Sequence, residues 1–544
     1  MNSPESYHRY SQDPASERAK PTAQGALALT LEAAYAHFGE GRLDEAAQLL
    51  RSVIDVEPHH GDALEGLAYI AVRQRDAKAA ADYFDRALAQ LPATSARYAD
   101  AGTANQAAGR HERAVECFDE ALALAPRTAA RVPLLHAAAE SSSELGNHER
   151  ARQSLTQARD LNPGVWQSHY NLGRVLGLAG HYDEEVAAYR RAIELQPDCV
   201  VAYVNLGVAL RDLRRFDEAL RVFKKAVQID PNDAGARTNR AQTNLLLGEF
   251  EHGWREYEWR WRDGGQFHSF GPNAWRGESS LEGKTLLVFN EQGFGDTLQF
   301  VRFVDPLVAS GVRVVLRVQD ALLPLLADYP GVAAVVGEGS ELPPFDLHCA
   351  LLSLPHALAA YRSPIPASTP YLQADPARRR AWQARLGSTG DARRIGIAWS
   401  GSTWHTNDRN RSIALSAWQS ALECYAGRAE FVSLVNDVRA GDQDALSRLP
   451  VVEVSDGLNT FADTAALIAE LDLVICVDTA VAHLAGALGK PVWILLPYTP
   501  DWRWQLERSD SPWYPSARLF RQAERGDWNS AMAQVHEALA AFLR

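Results

Sequence analysis

Residues 471–491, LDLVICVDTAVAHLAGALGKP, join an apolar strand directly to a helix of small residues. The run LDLVICV is apolar at nearly every position, which is typical of a strand covered on both faces in a parallel sheet. It ends at Asp478, and the helix that follows is closed by Gly489 and Pro491, residue types that commonly end helices. A strand that passes straight into a helix predicts an α/β domain.

The turn between this strand and its helix also carries candidate binding residues. Thr479 and Ala480 would place unpaired backbone N–H groups at the helix N-terminus, an arrangement that favours a diphosphate. His483 lies about one turn into the helix and could donate a hydrogen bond to a phosphate oxygen. The alternative for a lone histidine is a place in the packed core.

Short apolar runs alternate with helical stretches along the chain from residue 284. This alternation predicts two doubly wound, Rossmann-like domains that face each other, with a cleft at the carboxyl ends of their strands. The predicted strands are KTLLVFN, VRVVLRV, AAVVG and DLHCALL in the first domain, and RRIGIAWS, AEFVSLV, VVEV, DLVICVD and PVWILLP in the second. Residues 371–387 are predicted to connect the two domains, and residues 528–544 to form one amphipathic helix.

A repeat occupies the chain before residue 231. Prolines recur at positions 58, 92, 126, 163, 197 and 231, in steps of 34, 34, 37, 34 and 34 residues. A 34-residue period belongs to the helix-turn-helix unit called the tetratricopeptide repeat, and each proline would end a second helix. We therefore predict an α superhelix over residues 26–262. An aromatic cap within residues 248–265 would close it, and a disordered tail at residues 1–25 would precede it.

Three asparagines keep the phase of the repeat. Asn171, Asn205 and Asn239 are spaced by 34 residues, and each stands early in the first helix of its unit. First helices line the concave face of such a superhelix, so these amides would form a ladder there. Because an amide donates and accepts hydrogen bonds at once, the ladder would suit the backbone of an acceptor peptide. The alternative is that each asparagine bridges neighbouring helices.

A second motif, NEQGFGD at residues 290–296, follows the first predicted strand. Gly293 and Gly295 would allow a tight turn and a close approach of a ligand to the backbone. Asp296 has two interpretations: it is a good residue for capping a helix, or it is a general base at the cleft. Its position alone favours the cap.

A third motif, WSGSTWHTNDRNRS at residues 399–412, follows the first strand of the second domain. His405, Arg409 and Arg411 would supply positive charge to a diphosphate at the carboxyl edge of the sheet. The alternative is a solvated loop held by local ion pairs with Asp408.

Composition excludes several classes of protein. The 544 residues carry a net charge of −13, which argues against a general nucleic-acid binder. Five cysteines without CxxC spacing support neither a disulfide framework nor a zinc site. No apolar run reaches the roughly 18 residues of a membrane span, and the N-terminus lacks the apolar core of a signal peptide. We expect a cytoplasmic protein without a membrane span.

The three motifs together resemble the heptosyltransferase-like glycosyltransferases of the two-domain GT-B fold, over roughly residues 280–530. The complete chain is similar to bacterial proteins that join such repeats to this transferase domain, some of which glycosylate flagellin or other proteins in the cytoplasm. The resemblance implies that Asp296 is the catalytic base. It also implies that Asp478, Thr479, Ala480 and His483 hold the donor diphosphate.

The chain departs from the family in one loop. Heptosyltransferases place a lysine after the first strand of the second domain, whereas this chain offers His405, Arg409 and Arg411. Heptose is therefore not implied as the sugar. In the same scheme residues 263–378 form the acceptor side, and residues 379–544 form the nucleotide-sugar side.

The resulting prediction is an inverting glycosyltransferase that moves a sugar from a nucleotide-sugar to Ser or Thr of a protein bound by the repeats, with flagellin as one candidate. The nucleotide-sugar is a co-substrate and no cofactor is expected. No Asp-x-Asp motif occurs near the predicted cleft, so no metal is expected either. Two alternatives stay open: an inactive adaptor, and a glycan-assembly enzyme acting on a lipid-linked or polysaccharide acceptor.

Overall fold

The computed structural model describes residues 23–262, 270–362, 365–405 and 407–544. The predicted tail at residues 1–25 lies almost entirely outside these ranges. The chain divides into two compact units, one up to Ala202 and one from Tyr203 onward. The predicted boundary at residues 262–263 adjoins a stretch that the structure does not describe, and it stays a prediction.

The first unit is built from helix pairs, in which each even-numbered helix packs against its predecessor. Each second helix ends two to four residues before a repeat proline, as the period predicts. Their bounds are α1 (Ala23–Gly39), α2 (Leu43–Val56), α3 (Gly61–Arg73), α4 (Ala77–Leu88), α5 (Ser95–Ala107), α6 (His111–Leu124), α7 (Val132–Glu144), α8 (His148–Leu161), α9 (Trp166–Ala179) and α10 (Tyr182–Leu195).

Glycines in the first helices make room for the aromatic residues of the second helices. A Cβ atom at Gly102 would lie 2.7 Å from Cε1 of Phe118, and one at Gly173 would lie 2.8 Å from Cε1 of Tyr189. Both rings are buried. Since a core tolerates no such overlap, small residues at this phase let the paired helices approach. This explains why the repeat keeps both residue types.

Four further helices continue the repeat pattern into the second unit: α11 (Val200–Asp212), α12 (Phe216–Ile229), α13 (Ala234–Leu246) and α14 (Phe250–Tyr257). The aromatic cap then packs against the α/β part of the unit. Trp254 is buried and meets the rings of Phe300 and Trp502 edge to face, with centroids 5.8 and 5.1 Å away. The buried Arg260 adds two hydrogen bonds to the Glu291 carboxylate, of 2.6 and 2.8 Å.

The first α/β domain contains a parallel sheet in the order β3-β2-β1-β4. Its central strand pairs Leu287 with Val315 on one side and with His348 on the other. All four predicted strands are confirmed. The elements are β1 (Thr285–Phe289), α15 (Phe294–Phe300), α16 (Val304–Ala309), β2 (Arg313–Val318), α17 (Leu323–Leu326), β3 (Ala334–Gly337), β4 (Leu347–Ala350) and α18 (Leu354–Ala357).

The second α/β domain contains a parallel sheet in the order β10-β9-β8-β5-β6-β7. The connecting segment forms α19 (Pro376–Leu386), which packs on α23 of this domain. The elements are β5 (Arg393–Ala398), α20 (Asp408–Arg411), α21 (Gln419–Tyr425), β6 (Ala429–Ser433), α22 (Ala440–Arg448), β7 (Val451–Val452), α23 (Phe461–Ala469), β8 (Leu473–Val477), α24 (Ala480–Ala487), β9 (Val492–Leu496), β10 (Ala517–Arg521) and α25 (Trp528–Phe542).

The sequence prediction assigned no strand to β10. Strand β10 lies at the edge of the sheet, and its residues ARLFR include the exposed Arg518. The strand therefore lacks the continuous apolar run that is typical of a strand covered on both faces. The other predicted strands and the C-terminal helix are confirmed.

The topology brings the three sequence motifs to the carboxyl ends of central strands. Residues 290–296 follow β1, residues 399–412 follow β5, and Asp478 follows β8. Strands β5 and β8 are neighbours, and the chain runs outward from them in opposite directions, which makes this point the topological switch of the sheet. Ligands of doubly wound sheets bind at such a switch.

Candidate functional site

Asp296 stands at the start of α15, where its two carboxylate oxygens have separate partners. Oδ2 accepts a hydrogen bond of 2.8 Å from the backbone N–H of Gly293. Gly293 is the N-cap residue of α15, so Asp296 caps the helix from its third position and is not itself the predicted N-cap. Oδ1 forms an ion pair with Arg503. The side chain keeps 17% of its exposure and lines a cavity. Asp296 therefore takes part in the cap and also faces the cavity, and its role as a general base stays a prediction.

Two effects act on the protonation of Asp296. Burial raises the pKa of the carboxyl group above its ordinary value, while the Arg503 charge and the Gly293 N–H lower it; burial is the larger effect. Arg503 is itself fixed by three groups, because its guanidinium also donates to Gln299 Oε1 at 2.7 Å and to Asp501 Oδ1 at 2.8 Å.

The cavity has a volume of about 430 Å³. It is bordered by residues of α11, α13 and α14, by both α/β domains, and by the segment that follows β9. The lining residues are Val208, Arg211, Asp212, Gln242, Leu246, Tyr257, Gln292, Asp296, His405, Asn407, Arg411, Asp478, Thr499, Pro500, Asp501, Trp502 and Arg503. The size is that of a small-molecule site.

Asp478, two residues before the start of α24, lines this cavity. The backbone carbonyl of Asp478 accepts a hydrogen bond of 2.9 Å from Arg411 Nη1. Burial, and next the Asp501 charge, raise the pKa of the Asp478 carboxyl to about 6. Thr479 is the N-cap residue of α24, and its hydroxyl accepts a hydrogen bond of 3.5 Å from the Val481 N–H. Thr479 and Ala480 are partly exposed but are not among the cavity-lining residues, so their contact with a diphosphate stays a prediction.

His483 lies behind the helix start and is not among the cavity-lining residues. It is 5% exposed, its Nδ1 is 2.9 Å from the Tyr514 hydroxyl, and its ring stacks on Trp504 with centroids 5.3 Å apart. Burial lowers the pKa of His483 well below its ordinary value, so the ring is neutral. These surroundings match the packed-core alternative, and a phosphate contact by His483 stays a prediction.

Gly295 serves the packing of α15 on α24. A Cβ atom there would lie 2.9 Å from Cδ2 of His483 and 3.5 Å from Cα of Ala480. Gly293, by contrast, is exposed and supplies the N–H that Asp296 accepts. Gly295 therefore allows close helix packing, whereas Gly293 provides a backbone hydrogen bond to the candidate base.

The loop after β5 brings two of its three predicted residues to the cavity. His405 and Arg411 line it, whereas Arg409 is exposed and is not among the lining residues. Partial burial, and next the Arg411 charge, lower the pKa of His405. The local ion pairs of the alternative interpretation are also present, because Asp408 pairs with Arg439 at 2.6 Å and with Arg411 at 3.7 Å.

The asparagines of the predicted ladder have different surroundings. Asn171 of α9 borders a separate groove in the first unit, beside His136 and Arg174. Asn239 of α13 donates to the Gly235 carbonyl at 2.9 Å and accepts from Arg211 at 3.2 Å. Asn205 lies in α11. Peptide binding by these three residues stays a prediction.

Sequence reasoning assigned no role to several residues of the site, above all Arg503, Asp501 and Arg211. The run DWRW at residues 501–504 follows the carboxyl end of β9, and this position was the available signal for Arg503. No such signal marks Arg211, because a repeat helix gives no indication of which transferase residues lie beside it.

Among the described residues, no group of three or more His, Cys, Asp or Glu side chains could hold a metal ion. No helix in the described ranges is long and apolar enough to cross a bilayer. The predicted metal independence stays a prediction.

Family models match both halves of the chain. The tetratricopeptide repeat is matched over residues 31–94, 97–128, 136–198 and 179–234. The model described as glycosyltransferase family 9 (heptosyltransferase) matches residues 453–536. That match includes Asp478 and Arg503, whereas Asp296 and the loop after β5 lie outside it.

Two relatives match parts of the chain. Protein FlbA of Caulobacter vibrioides is 30% identical over 330 residues, which cover 56% of this chain and 54% of the relative. Cellulose synthase 1 operon protein C of Komagataeibacter xylinus is 34% identical over 70 residues, covering 13% and 5% of the two chains. The chain thus spans about half the length of FlbA and a small part of the other relative.

Solved structures similar to the chain are repeat proteins. YrrB, described as a TPR protein with an unusual peptide-binding site, is 20% identical, with a TM-score of 0.30, and the match covers 35% of this chain and 96% of YrrB. A tetratricopeptide repeat protein from Parabacteroides merdae is 17% identical, with a TM-score of 0.36, over 45% and 94% of the chains. The chain therefore joins tetratricopeptide repeats to a domain that matches the heptosyltransferase family of glycosyltransferases.

Proposed function

We propose that this chain is an inverting glycosyltransferase that transfers a sugar from a nucleotide-sugar to Ser or Thr of a protein bound by its repeats. The observation that carries the proposal is the single cavity lined by both Asp296 and Asp478. A candidate base and a candidate anion site must face one space for a direct displacement. Metal independence and a cytoplasmic location belong to the same proposal.

In the proposed reaction, Asp296 takes the proton of the acceptor hydroxyl. The hydroxyl oxygen forms a bond to the anomeric carbon from the face opposite the phosphate, which inverts that centre. The bond between the anomeric carbon and the phosphate oxygen breaks, and its electron pair stays on the nucleoside diphosphate. A raised pKa makes Asp296 a better base than a surface aspartate, because its proton affinity is higher.

Charge on the departing diphosphate needs positive partners. The Arg411 guanidinium lines the cavity, and α24 begins two residues after the cavity-lining Asp478; the guanidinium and the helix N-terminus would supply these partners. Arg411 is held against the Asp478 carbonyl, so the loop cation and the helix start are joined by one hydrogen bond. Preorganised groups of this kind stabilise a developing anion without moving.

The test is mass spectrometry of proteins co-expressed with the full chain or with its Asp296→Asn variant. Transfer should fall by about two to four orders of magnitude, the contribution of a general base, while affinity for the nucleotide-sugar is retained. Asp328→Asn is the control, since Asp328 is an exposed aspartate of the same domain. Near-normal transfer by Asp296→Asn would remove Asp296 from the mechanism.

The flagellin acceptor is a specific form of the proposal. The experiment therefore includes a flagellin among the co-expressed proteins. Titration of the chain with nucleotide-sugars distinguishes the proposed transferase from the inactive adaptor, because an inactive adaptor would bind no nucleotide-sugar. Labelling of a lipid-linked glycan in place of protein would favour the glycan-assembly alternative.

A further inference from the structure

Residues of the last repeats line the same cavity as the candidate base, among them two with long polar side chains. Arg211 is on α11 and Gln242 is on α13, and both line the space that contains Asp296 and Asp478. The last repeats therefore contribute a wall of the transferase cavity, in addition to any recruiting role of the earlier ones.

Arg211 is held in place by neutral amides. Its Nη1 donates to Asn239 Oδ1 at 3.2 Å and to Gln242 Oε1 at 3.4 Å. Asn239 is fixed in turn by a hydrogen bond of 2.9 Å to the Gly235 carbonyl, one turn earlier on its own helix. The amide of Asn239 thus orients the guanidinium toward its neighbours on α13.

The charge of Arg211 is only loosely compensated within the described residues. Its ion-pair partner there is Asp212, whose Oδ1 lies 3.6 Å from Nε. Asp212 also lies 3.4 Å from Arg525. Arg503, by comparison, makes close hydrogen bonds to Asp501 and Gln299 in addition to its pair with Asp296. Arg211 keeps 18% of its side-chain exposure and can donate further hydrogen bonds.

The end of α11 is anchored to the second α/β domain. Thr499 Oγ1 donates to the Asp212 carbonyl at 2.9 Å, and the Arg214 guanidinium lies 4.0 Å from the centroid of the Tyr498 ring. Because Tyr498 and Thr499 precede the segment that carries Arg503, the position of Arg211 relative to the site is defined by direct contacts.

From this placement we infer that Arg211 binds the acceptor polypeptide beside the modified hydroxyl and is a specificity-determining residue. Its guanidinium would donate to backbone carbonyl oxygens of an extended segment, and the amide of Gln242 would pair with the same backbone. Asn239 is then a positioning residue for Arg211. The inference rests on the proposed function, since it assigns the acceptor side of that site.

The chemistry favours the acceptor over the donor. The groups suited to a diphosphate, namely the start of α24 and Arg411, belong to the second α/β domain. Arg211 and Gln242 belong to the repeats, the part of the chain that the proposal assigns to the acceptor. A guanidinium with two neighbouring amides matches the donors and acceptors of a peptide backbone.

The experiment uses the full chain with a library of short Ser- and Thr-containing peptides and a panel of nucleotide-sugars. Transfer, peptide binding in the presence of nucleoside diphosphate, and donor binding are measured separately. Arg211→Ala should raise the KM for peptides about tenfold or more, the loss of one charge-assisted hydrogen bond. The KM for the donor should change less than about twofold. Arg211→Lys and Asn239→Ala should give intermediate values, and the preferred residues flanking the acceptor hydroxyl should change.

Arg221→Ala is the matched control, because Arg221 is an exposed arginine on α12 outside the cavity. An unchanged peptide KM for Arg211→Ala, or a change in donor KM instead, overturns the inference. If the wild type transfers no sugar but Arg211→Ala still loses peptide binding, the proposed function fails while the peptide contact stands. Loss of folding is excluded by comparing the melting temperatures of the variants.

Discussion

Arg503, in the segment after β9, forms an ion pair with Asp296 at the start of α15. The pair joins the two α/β domains inside the cavity that both of them line. Arg503 also holds Asp501, so one guanidinium lies between two carboxylates. The candidate base is thereby oriented by a residue of the domain proposed to bind the donor.

Replacing Arg503 should change the pH dependence of transfer. The Arg503 charge lowers the pKa of Asp296 against the larger effect of burial. Without that charge the pKa rises, and the base is protonated over a wider acid range. We expect the acid limb of the pH–rate profile of Arg503→Gln to move to higher pH by about one unit or more.

Arg503→Lys provides the comparison for this measurement, because it keeps the positive charge and loses the forked geometry. Its acid limb should stay near that of the wild type, even if its plateau rate is lower. A rate loss in Arg503→Gln that is equal at every pH would show that Arg503 acts only through packing.

We expect the ionised carboxylate of Asp478 to lower the free energy of unfolding at neutral pH. Its pKa is raised to about 6, above the roughly 3.9 of an unfolded aspartate, so the folded state binds more protons between these values. The free energy of unfolding therefore falls as pH rises through that window. Asp478→Asn should raise the melting temperature at pH above about 7, and the gain should shrink toward pH about 4.

The control for this comparison is Asp391→Asn, an exposed aspartate of the same domain. Thermal melts of the three proteins across the pH range give the result. A gain in Asp478→Asn that is independent of pH would mean that titration of Asp478 is not its source.

Gly295 should tolerate no side chain. In Gly295→Ala, the new Cβ would lie 2.9 Å from Cδ2 of His483, a ring already held by Tyr514 and Trp504. We expect a loss of roughly 1–3 kcal/mol in the free energy of unfolding, together with reduced transfer because Asp296 is the next residue. Chemical denaturation measures the first quantity.

Gly293→Ala is the paired variant. Gly293 has a φ of −83°, which alanine adopts readily, and its new Cβ would meet only the Asp296 carboxylate at 3.3 Å. Its destabilisation should be smaller than that of Gly295→Ala. Equal losses would contradict the packing role assigned to Gly295.

Truncations of the repeats should separate recruitment from catalysis. Deleting residues 1–163 keeps α9–α14, and we expect donor affinity to persist while protein modification falls. Deleting residues 1–231 also removes Arg211, Arg214 and the contact of Asp212 with Thr499. We expect that shorter chain to lose donor affinity and thermal stability. Calorimetric titration with nucleotide-sugars measures the donor affinity of the two truncated chains, and thermal melts measure their stability. Equal donor affinities of the two chains would show that the last repeats do not support the site.

Local patterns in the sequence predicted most of the fold. Proline spacing predicted the helix pairs because each proline ends a helix by its own geometry. Apolar runs predicted nine strands, since a covered strand must be apolar on both faces. The strand at Ala517–Arg521 was not predicted, because the exposed Arg518 interrupts its apolar run at the sheet edge.

The site was predicted only in part. Asp296, Arg411 and Asp478 follow central strands, and strand order alone brings such residues together. For Arg503 the only available signal was the position of its segment after β9. Arg211 reaches the same cavity from a repeat helix, and a single sequence carries no signal for that contact. For His483 the sequence motif suggested contact with a ligand, but the structure surrounds its ring with Tyr514, Trp504 and Gly295.

The anchoring of α11 to Tyr498 and Thr499 has a consequence for how such a chain can be redesigned. Repeats inserted or removed ahead of α9 leave every described contact of the cavity unchanged. Inserting or deleting one residue between Arg211 and Arg214 would displace Arg211 relative to the contacts that Asp212 and Arg214 make with Thr499 and Tyr498. We therefore expect that the number of repeats ahead of α9 can be varied, whereas α11 to α14 must be kept together with the α/β domains in any redesigned chain.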